Sequence, residues 1–144
     1  MKISVISGLY NCEKHLKKCL DSLLCQTYDD YEIILVNNAS TDKTLQIARA
    51  YQSRHPAKIQ VYHTDEKLGA GGSRAKGMEL AKGDYLCFVD CDDYVSSDYL
   101  ERMSCCAKKN HSPDIVITYF QKVGMDGKRK YARAYRNEKI ALVQ

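Results

Sequence analysis

The sequence predicts an α/β sandwich in which helices cover both faces of a mostly parallel β-sheet. Strand-like and helix-like segments alternate from the N-terminus to Val89. The run Ile33-Ile34-Leu35-Val36 is apolar throughout, as expected of a strand buried on both faces of a parallel sheet. This alternation requires crossover connections, which are right-handed and place the helices over the sheet.

Four strands are predicted at residues 2–7, 31–36, 58–63 and 84–89. A first helix is predicted over residues 12–26, because the apolar residues there lie on one helix face: Leu16, Cys19, Leu20, Leu23 and Leu24. Ser40-Thr41-Asp42 supplies N-cap side chains for a second helix that continues through Tyr51.

The remaining elements follow from glycine and serine signals. The glycine-rich turn at residues 69–73 opens a third helix that ends near Lys82, with Gly83 as its C′ residue. Ser96 or Ser97 caps a fourth helix, whose apolar face is Tyr99, Met103, Cys106 and Ala107. Beyond it we expect a strand at residues 114–121, a turn at 124–127 and a candidate partner strand at 128–135.

Length and composition are those of one globular domain. The chain has 144 residues, of which 44% are hydrophobic and 28% charged, which excludes disordered and collagen-like classes. No apolar stretch approaches the roughly 20 residues of a membrane-spanning helix, and the N-terminus does not resemble a signal peptide. The 7 irregularly spaced cysteines are expected to be mostly buried thiols, not disulfides or zinc ligands. We therefore expect a cytoplasmic protein.

The net charge of +4 is concentrated at the C-terminal end of the chain. Residues 128–144 sum to +5, so the other 127 residues sum to −1. This distribution argues against nucleic-acid binding. The basic tail is expected to face water, with phosphate or lipid headgroups as the open alternatives.

Polar residues collect directly after the four predicted strands. In open α/β sheets these segments meet at the carboxyl edge, where ligands bind. The segments are Gly8-Leu9-Tyr10-Asn11, residues 37–42, the glycine-rich turn with the following Arg74, and Asp90-Cys91-Asp92-Asp93. Together they predict one ligand site at that edge.

The acidic segment places three carboxylates within four residues. Such carboxylates repel one another unless a cation or strong donors offset their charge. Hard carboxylate oxygens suit Mg²⁺ or Mn²⁺, which complete their coordination with substrate phosphates. The alternative is a solvated acidic turn that caps the next helix.

The glycine-rich segment fits neither of the two best-known phosphate motifs. Its Gly69-Ala70-Gly71-Gly72-Ser73-Arg74 has Arg at the sixth position of a G-x-G-x-x-G pattern and follows the third strand. It also lacks the Gly-Lys-Ser/Thr ending of a Walker loop. A helix N-terminus beside Arg74 and Lys76 remains a candidate pyrophosphate site, against the alternative of a loose surface loop.

These motifs, in this order and spacing, resemble the family-2 glycosyltransferases. The resemblance runs from residue 2 to about 127 and includes Leu20 to Tyr28, Glu32 to Asp42, Gly69 to Gly77 and Phe88 to Tyr94. It implies a GT-A (Rossmann-like) three-layer α/β/α fold and sugar transfer, usually inverting, from a nucleotide diphosphate to an acceptor hydroxyl. It also implies Mn²⁺ or Mg²⁺ at Asp92 and Asp90, the Asp-x-Asp motif. The implied nucleotide-sugar residues are Tyr10, Asn11, Asn37, Asn38, Gly69, Arg74, Asp90 and Asp92.

Two substitutions depart from the family pattern. Asn37-Asn38 stands where the family usually has Asp-Asp, one of which commonly accepts the uracil N–H. An amide can accept without charge or donate, so we hypothesise altered or weakened base choice. Gly8 stands where the family usually has Pro, and is expected to affect only loop stiffness.

The resemblance also sets expectations for the whole protein. Residues 1–127 would be the nucleotide-sugar-binding part, and residues 128–144 a basic tail that begins the acceptor half. The catalytic base is expected beyond Gln144, because Glu138 in the basic tail is a poor candidate. Expected partners are a nucleotide-diphosphate sugar, UDP-sugar foremost, and a saccharide or lipid-linked acceptor. Peripheral contact with the inner membrane face, a homodimer and a non-catalytic nucleotide-sugar-binding module are open alternatives.

Overall fold

A computed structural model describes residues 1–118, 121–123, 129–131 and 141–143. The chain forms two compact units, Met1–Asp98 and Tyr99–Gln144. In the first unit the order is β1 (Ile3–Leu9), α1 (Leu16–Leu24), β2 (Tyr31–Asn38), α2 (Thr44–Arg54), β3 (Ile59–Thr64), α3 (Gly69–Leu80) and β4 (Tyr85–Phe88). The predicted alternation of strands and helices is confirmed.

The four strands form one sheet in the order β3-β2-β1-β4, and every neighbouring pair is parallel. The two central strands, β1 and β2, are the most completely buried, since helices cover both of their faces. This two-sided burial explains why the run in β2 is apolar throughout: Ile33, Ile34, Leu35 and Val36 are all fully buried.

The two faces of the sheet are covered by different helices. On one face, α3 packs against Ile6, Ile34 and Val36. Residues one position away along a strand point to the opposite face. There the Tyr31 hydroxyl donates to the Leu23 carbonyl of α1, and α2 joins α1 through Tyr51, whose hydroxyl donates to Asp21 Oδ1 at 2.6 Å. The arrangement is the predicted three-layer sandwich.

The second unit contains α4 (Tyr99–Lys109), β5 (Val116–Thr118), β6 (Gln121–Val123), β7 (Arg129–Tyr131) and β8 (Ala141–Val143). Strands β6 and β7 pair antiparallel, and β5 pairs with β8 in parallel. The strand predicted over residues 114–121 is shorter, because it ends at Thr118 and β6 begins at Gln121. The predicted turn at residues 124–127 and the candidate Glu138 lie outside the described residues.

Three local expectations need revision. The glycines at positions 69, 71 and 72 already belong to α3, where a glycine-rich turn was expected to open the helix. Gly83 is not a C′ residue in left-handed conformation; a side chain there would collide with the Ser4 backbone, so close approach to β1 is the reason for glycine. Gly8 lies within strand β1, so its substitution does not act through loop stiffness.

Most of the cysteines are buried, as expected of small apolar side chains. All seven are free thiols, and Cys12, Cys19, Cys87 and Cys106 are buried. Burial, reinforced by nearby negative charge from the acidic segment, raises the pKa of Cys19 to about 12. Among the described residues, no helix is both long and apolar enough to cross a membrane.

The side chain of Glu32 connects the start of β1 to the segment that follows α3. Its carboxylate accepts hydrogen bonds from Lys2 Nζ at 2.8 Å, Ser4 Oγ at 2.7 Å and the Lys82 backbone N–H at 2.8 Å. Burial by itself would raise the pKa of Glu32, but these donors outweigh it and hold the pKa below its ordinary value. The charged form of Glu32 therefore stabilises the folded state.

We expect Glu32→Gln to lower the free energy of unfolding by about 1–3 kcal/mol at pH 7. Because the folded pKa lies below the unfolded one, this stabilisation is complete above the unfolded pKa and is lost as the pH falls through the folded pKa. Urea unfolding at pH 7 and at acid pH measures it. Glu79→Gln is the control, since Glu79 forms an exposed pair with Lys76 and should change stability by less than about 0.5 kcal/mol. An equal loss at both pH values would contradict the assignment.

Candidate functional site

A pocket of about 320 Å³ opens at the carboxyl edge of the sheet, within the unit Met1–Asp98. It is built from the ends of β1 and β2, the start of α3 and the residue after Val89. The lining residues are Gly8, Leu9, Tyr10, Asn38, Lys67, Gly69, Ala70, Ser73, Arg74 and Asp90. Five of the eight nucleotide-sugar residues implied by the sequence line this pocket: Tyr10, Asn38, Gly69, Arg74 and Asp90.

The start of α3 reaches the pocket because the first turn has almost no side chains. Gly69 adopts φ +70°, a left-handed conformation that favours glycine. Ser73 is buried, its hydroxyl donates to the Gly69 carbonyl at 2.9 Å, and a side chain on Gly8 would come within 3.1 Å of Ser73 Cβ. Small residues at positions 8 and 73 thus let the helix N-terminus approach the strand edge closely.

The charges in the pocket are arranged around Arg74. Arg74 Nη2 donates to Asp90 Oδ1 at 2.9 Å, and both side chains are about half exposed. The guanidinium also lies 6.0 Å from the centre of the Phe88 ring. An exposed pair of this kind adds little to stability. The pair instead positions the Arg74 guanidinium in the pocket near the N-terminus of α3, where an anionic ligand is favoured.

Lys67 is a pocket residue that sequence analysis missed. Its Nζ lies 4.9 Å from the centre of the Tyr10 ring, and Tyr10 is 45% exposed. Its position two residues before the glycine-rich start of α3 was the available signal, but the sequence alone does not distinguish Lys67 from the surface lysines. Lys76, which the sequence placed beside the phosphate site, instead pairs with Glu79 at 2.8 Å and does not line the pocket.

Asn11 and Asn37 do not line the pocket. Asn11, with φ 46°, accepts the Thr41 backbone N–H at 2.8 Å, which connects the loops after β1 and β2. Asn37 is fully buried, and its Nδ2 contacts His63 Nδ1 at 2.9 Å while its Oδ1 has no partner among the described residues. Their assignment to ligand binding stays a prediction.

The acidic segment shows the expected mutual repulsion. Burial, followed by the charges of Asp92 and Asp90, raises the pKa of Asp93. A hydrogen bond from the Cys12 thiol lowers the pKa of Cys91 and raises that of Cys12. Asp92 is exposed and lies beside the pocket lining, not within it. Across the described residues, no group of three or more His, Cys, Asp or Glu side chains could hold a metal ion.

Fold and site together define an α/β protein with a pocket at the carboxyl ends of its parallel strands, lined by Lys67, Arg74 and Asp90 among others. The glycosyl transferase family 2 model matches residues 4–142. The chain therefore belongs to the family-2 glycosyltransferases.

Relatives of known sequence agree with this assignment. The poly(ribitol-phosphate) beta-glucosyltransferase of Bacillus spizizenii is 38% identical over 145 residues, which cover 99% of this chain and 23% of that protein. The uncharacterized glycosyltransferase EpsJ of Bacillus subtilis is 42% identical over 124 residues, covering 86% of this chain and 35% of EpsJ. The chain thus spans about a quarter to a third of the length of these relatives.

Solved structures share the fold. S. aureus TarS 1-349 in complex with UDP matches with a TM-score of 0.76 and 32% identity, over 82% of this chain and 35% of TarS 1-349. The mannosyltransferase PcManGT from Pyrobaculum calidifontis, in complex with GDP-Man and Mn²⁺, matches with a TM-score of 0.65 and 25% identity, over 69% and 30% of the two chains. These structural similarities confirm the GT-A expectation for the fold.

Proposed function

We propose that this chain binds the nucleotide-diphosphate sugar of a glycosyltransferase that transfers the sugar, with inversion, to an acceptor hydroxyl. The observation that carries the proposal is the pocket that gathers Tyr10, Asn38, Gly69, Arg74 and Asp90 at the carboxyl edge of the sheet. These residues come from four separate segments of the chain and supply an aromatic ring, a side-chain amide, a helix N-terminus, a guanidinium and a carboxylate. Neighbours that bind UDP and GDP-Man support the same ligand class.

The diphosphate is held by the cationic side of the pocket. Lys67, Arg74 and the N-terminus of α3 offer charge and backbone donors to its oxygens. Arg74 exchanges its partner Asp90 for a phosphate, which leaves the Asp90 carboxylate to a cation. The exposed ring of Tyr10 offers a stacking surface for the nucleoside.

Asp92 and Asp90 are the proposed holders of Mn²⁺ or Mg²⁺. The donor set fits, since these are hard oxygens, and their negative charge adds to the effect of burial in raising the pKa of Asp93. Two protein carboxylates plus substrate phosphates is the coordination that such cations prefer. When bound, the metal offsets the charge that develops on the departing nucleotide diphosphate. No described residue is assigned as the base that takes the proton of the acceptor hydroxyl.

The proposal is tested by thermal unfolding of this chain with UDP, GDP, CDP and TDP, each with and without Mn²⁺. A nucleotide at 100 times its dissociation constant should add about 2.7 kcal/mol of stability. A folded protein that no nucleotide stabilises would overturn the proposal. A non-catalytic binding module would show the same stabilisation, and transfer to an added saccharide acceptor, measured on the full-length protein, distinguishes the two.

We expect Asp92→Ala to abolish the part of this stabilisation that depends on Mn²⁺, because the cation loses one of its two protein ligands. Glu79→Ala is the matched control, since it removes one negative charge from an exposed position of α3 outside the pocket. Comparison of the Mn²⁺-dependent shift in melting temperature among the three proteins is the measurement. A shift that persists undiminished in Asp92→Ala would show that the metal binds elsewhere.

A further inference from the structure

Two of the free thiols are in contact beside the acidic segment. The Cys12 thiol, in the loop after β1, donates a hydrogen bond to the sulfur of Cys91. The backbone N–H of Tyr10 is within hydrogen-bond reach of both sulfur atoms. The two cysteines belong to different loops of the unit Met1–Asp98, so it is the fold that brings their sulfur atoms side by side.

The Cys12 half of this pair is fixed in place. Its backbone N–H donates to Thr44 Oγ1 at 2.8 Å. Its carbonyl accepts the backbone N–H groups of His15 and Leu16 at 3.0 and 2.9 Å. The Cys12 side chain is also buried. Any movement that brings the two sulfur atoms closer must therefore come from the side of Cys91.

The Cys91 half lies within the proposed metal site. Cys91 stands between Asp90 and Asp92, and the segment is a tight turn in which the Asp93 backbone N–H donates to the Asp90 carbonyl at 3.0 Å. Because the turn is so short, displacement of Cys91 displaces both neighbouring carboxylates. Cys91 is partly exposed, so a small oxidant can reach its sulfur.

Other thiols are less suited to be the partner of Cys91. Cys19 also lies near the acidic segment, but it is fully buried and its Sγ donates to the Asp90 carbonyl at 3.6 Å. Cys105 is exposed, but it lies on α4 in the other unit of the chain. Cys12 is therefore the partner that the structure offers to Cys91.

We propose that Cys12 and Cys91 are a redox modification site, at which hydrogen peroxide forms a disulfide that displaces the acidic segment and weakens Mn²⁺-dependent binding of a nucleoside diphosphate. The Cys91 sulfur attacks one peroxide oxygen, which gives a sulfenic acid and releases one water. The Cys12 sulfur then forms the S–S bond and expels the sulfenic hydroxyl as a second water. The two thiols together lose two electrons and two protons, and one peroxide is reduced to two waters. A thiol reductant reverses the modification by thiol–disulfide exchange.

The effect on binding follows from the length of the new bond. A disulfide holds its sulfur atoms about 2 Å apart, closer than a hydrogen bond between two thiols does. Since Cys12 is fixed, the acidic segment must move to close this gap. Loss of the groups that orient metal ligands costs about tenfold to a hundredfold in metal affinity, and we expect a loss in that range here. The effect on binding rests on the proposed function, whereas formation of the disulfide does not.

The test compares the wild-type chain with Cys12→Ser and Cys105→Ser before and after treatment with hydrogen peroxide. Peptide mapping by mass spectrometry without reductant detects the linkage between Cys12 and Cys91. Isothermal titration in the presence of Mn²⁺ measures the affinity for whichever of UDP, GDP, CDP and TDP stabilises the reduced chain. Cys105→Ser is the matched control, because it removes an exposed thiol outside the pair.

The proposal is supported if the linkage forms in wild type and Cys105→Ser but not in Cys12→Ser, and if only the linked proteins bind the nucleotide more weakly. Dithiothreitol should restore their affinity, which excludes methionine oxidation as the cause, since methionine sulfoxide is reduced only by its own reductases. A folded wild type that forms no linkage, or that binds equally well when linked, overturns the proposal with the proposed function intact.

Two further outcomes are also decisive. If the reduced wild type binds none of the four nucleotides, the proposed function fails and the effect on binding fails with it, while peptide mapping still decides whether the disulfide forms. If Cys12→Ser does not fold, as judged by circular dichroism, Cys91→Ser replaces it in the mapping, because its side chain is only partly buried.

Discussion

Gly77→Ala is expected to destabilise the unit Met1–Asp98 by about 3 kcal/mol, although alanine is the better helix former. Gly77 lies in α3 where the helix crosses β1, and a Cβ atom there would collide with Ile6 Cγ2 and come within 3.4 Å of Ile6 Cβ. Ile6 cannot yield, because it is 1% exposed and packs against Ile34 and Val36. The gain of about 1 kcal/mol in helix propensity is smaller than the cost of overpacking a β-branched core residue.

Gly71→Ala is the matched control for this prediction. It is the same substitution in the same helix, but a Cβ at Gly71 meets no atom within 4 Å. There the propensity effect acts alone, and we expect stabilisation by about 0.5–1 kcal/mol. Urea unfolding followed by circular dichroism measures both. If Gly77→Ala proved as stable as Gly71→Ala, α3 would not cross the sheet at this glycine.

Arg74→Gln is expected to weaken the binding of nucleoside diphosphates by about tenfold to a hundredfold, the usual range for a charge-assisted hydrogen bond to phosphate. Two effects act in the same direction. The guanidinium no longer donates to the diphosphate, and the Asp90 carboxylate, now without its partner at 2.9 Å, opposes an anionic ligand. The loss should be larger for the diphosphate than for the free nucleoside, because the nucleoside carries no charge.

Lys76→Gln controls for the loss of one positive charge. Lys76 lies two residues further along α3, but it pairs with Glu79 and does not line the pocket. Titration of a nucleoside diphosphate and of its nucleoside into wild type and both variants is the measurement. Equal losses in Arg74→Gln and Lys76→Gln would mean that the general positive field, and not a contact with Arg74, binds the diphosphate.

How far the sequence predicts the site depends on the range of the interactions involved. Asp42 illustrates a local signal: the N-cap residue of α2 is Lys43, but Asp42, from the predicted capping segment, still accepts the backbone N–H of Thr44, the first residue of that helix, through Oδ1 at 2.9 Å. Arg74 and Asp90 were each singled out from their own segments. Their ion pair, and the consequence that Arg74 offsets one of the carboxylates, depends on the crossing of α3 over the sheet.

Gly83 and Asn38 show the opposite case. The sequence suggested a helix C-terminus for Gly83, since glycine is common there, but the reason for glycine is the Ser4 backbone, 79 residues away in sequence. For Asn38 the sequence left donor and acceptor equally open. The backbone N–H of Leu68, 30 residues further along the chain, donates to Asn38 Oδ1 and decides between them.

The sequence by itself determined the order of strands and helices, the parallel sheet with helices on both faces, and the edge of that sheet at which polar side chains collect. Periodicity, capping residues and apolar runs each involve only a few neighbouring residues, so they can be recognised in the sequence. Only the tertiary structure decided which of those side chains share one pocket, which are held away from it, and which atom of Asn38 accepts the Leu68 N–H. Those outcomes depend on contacts between distant segments, and the pattern of residues within any one segment does not contain them.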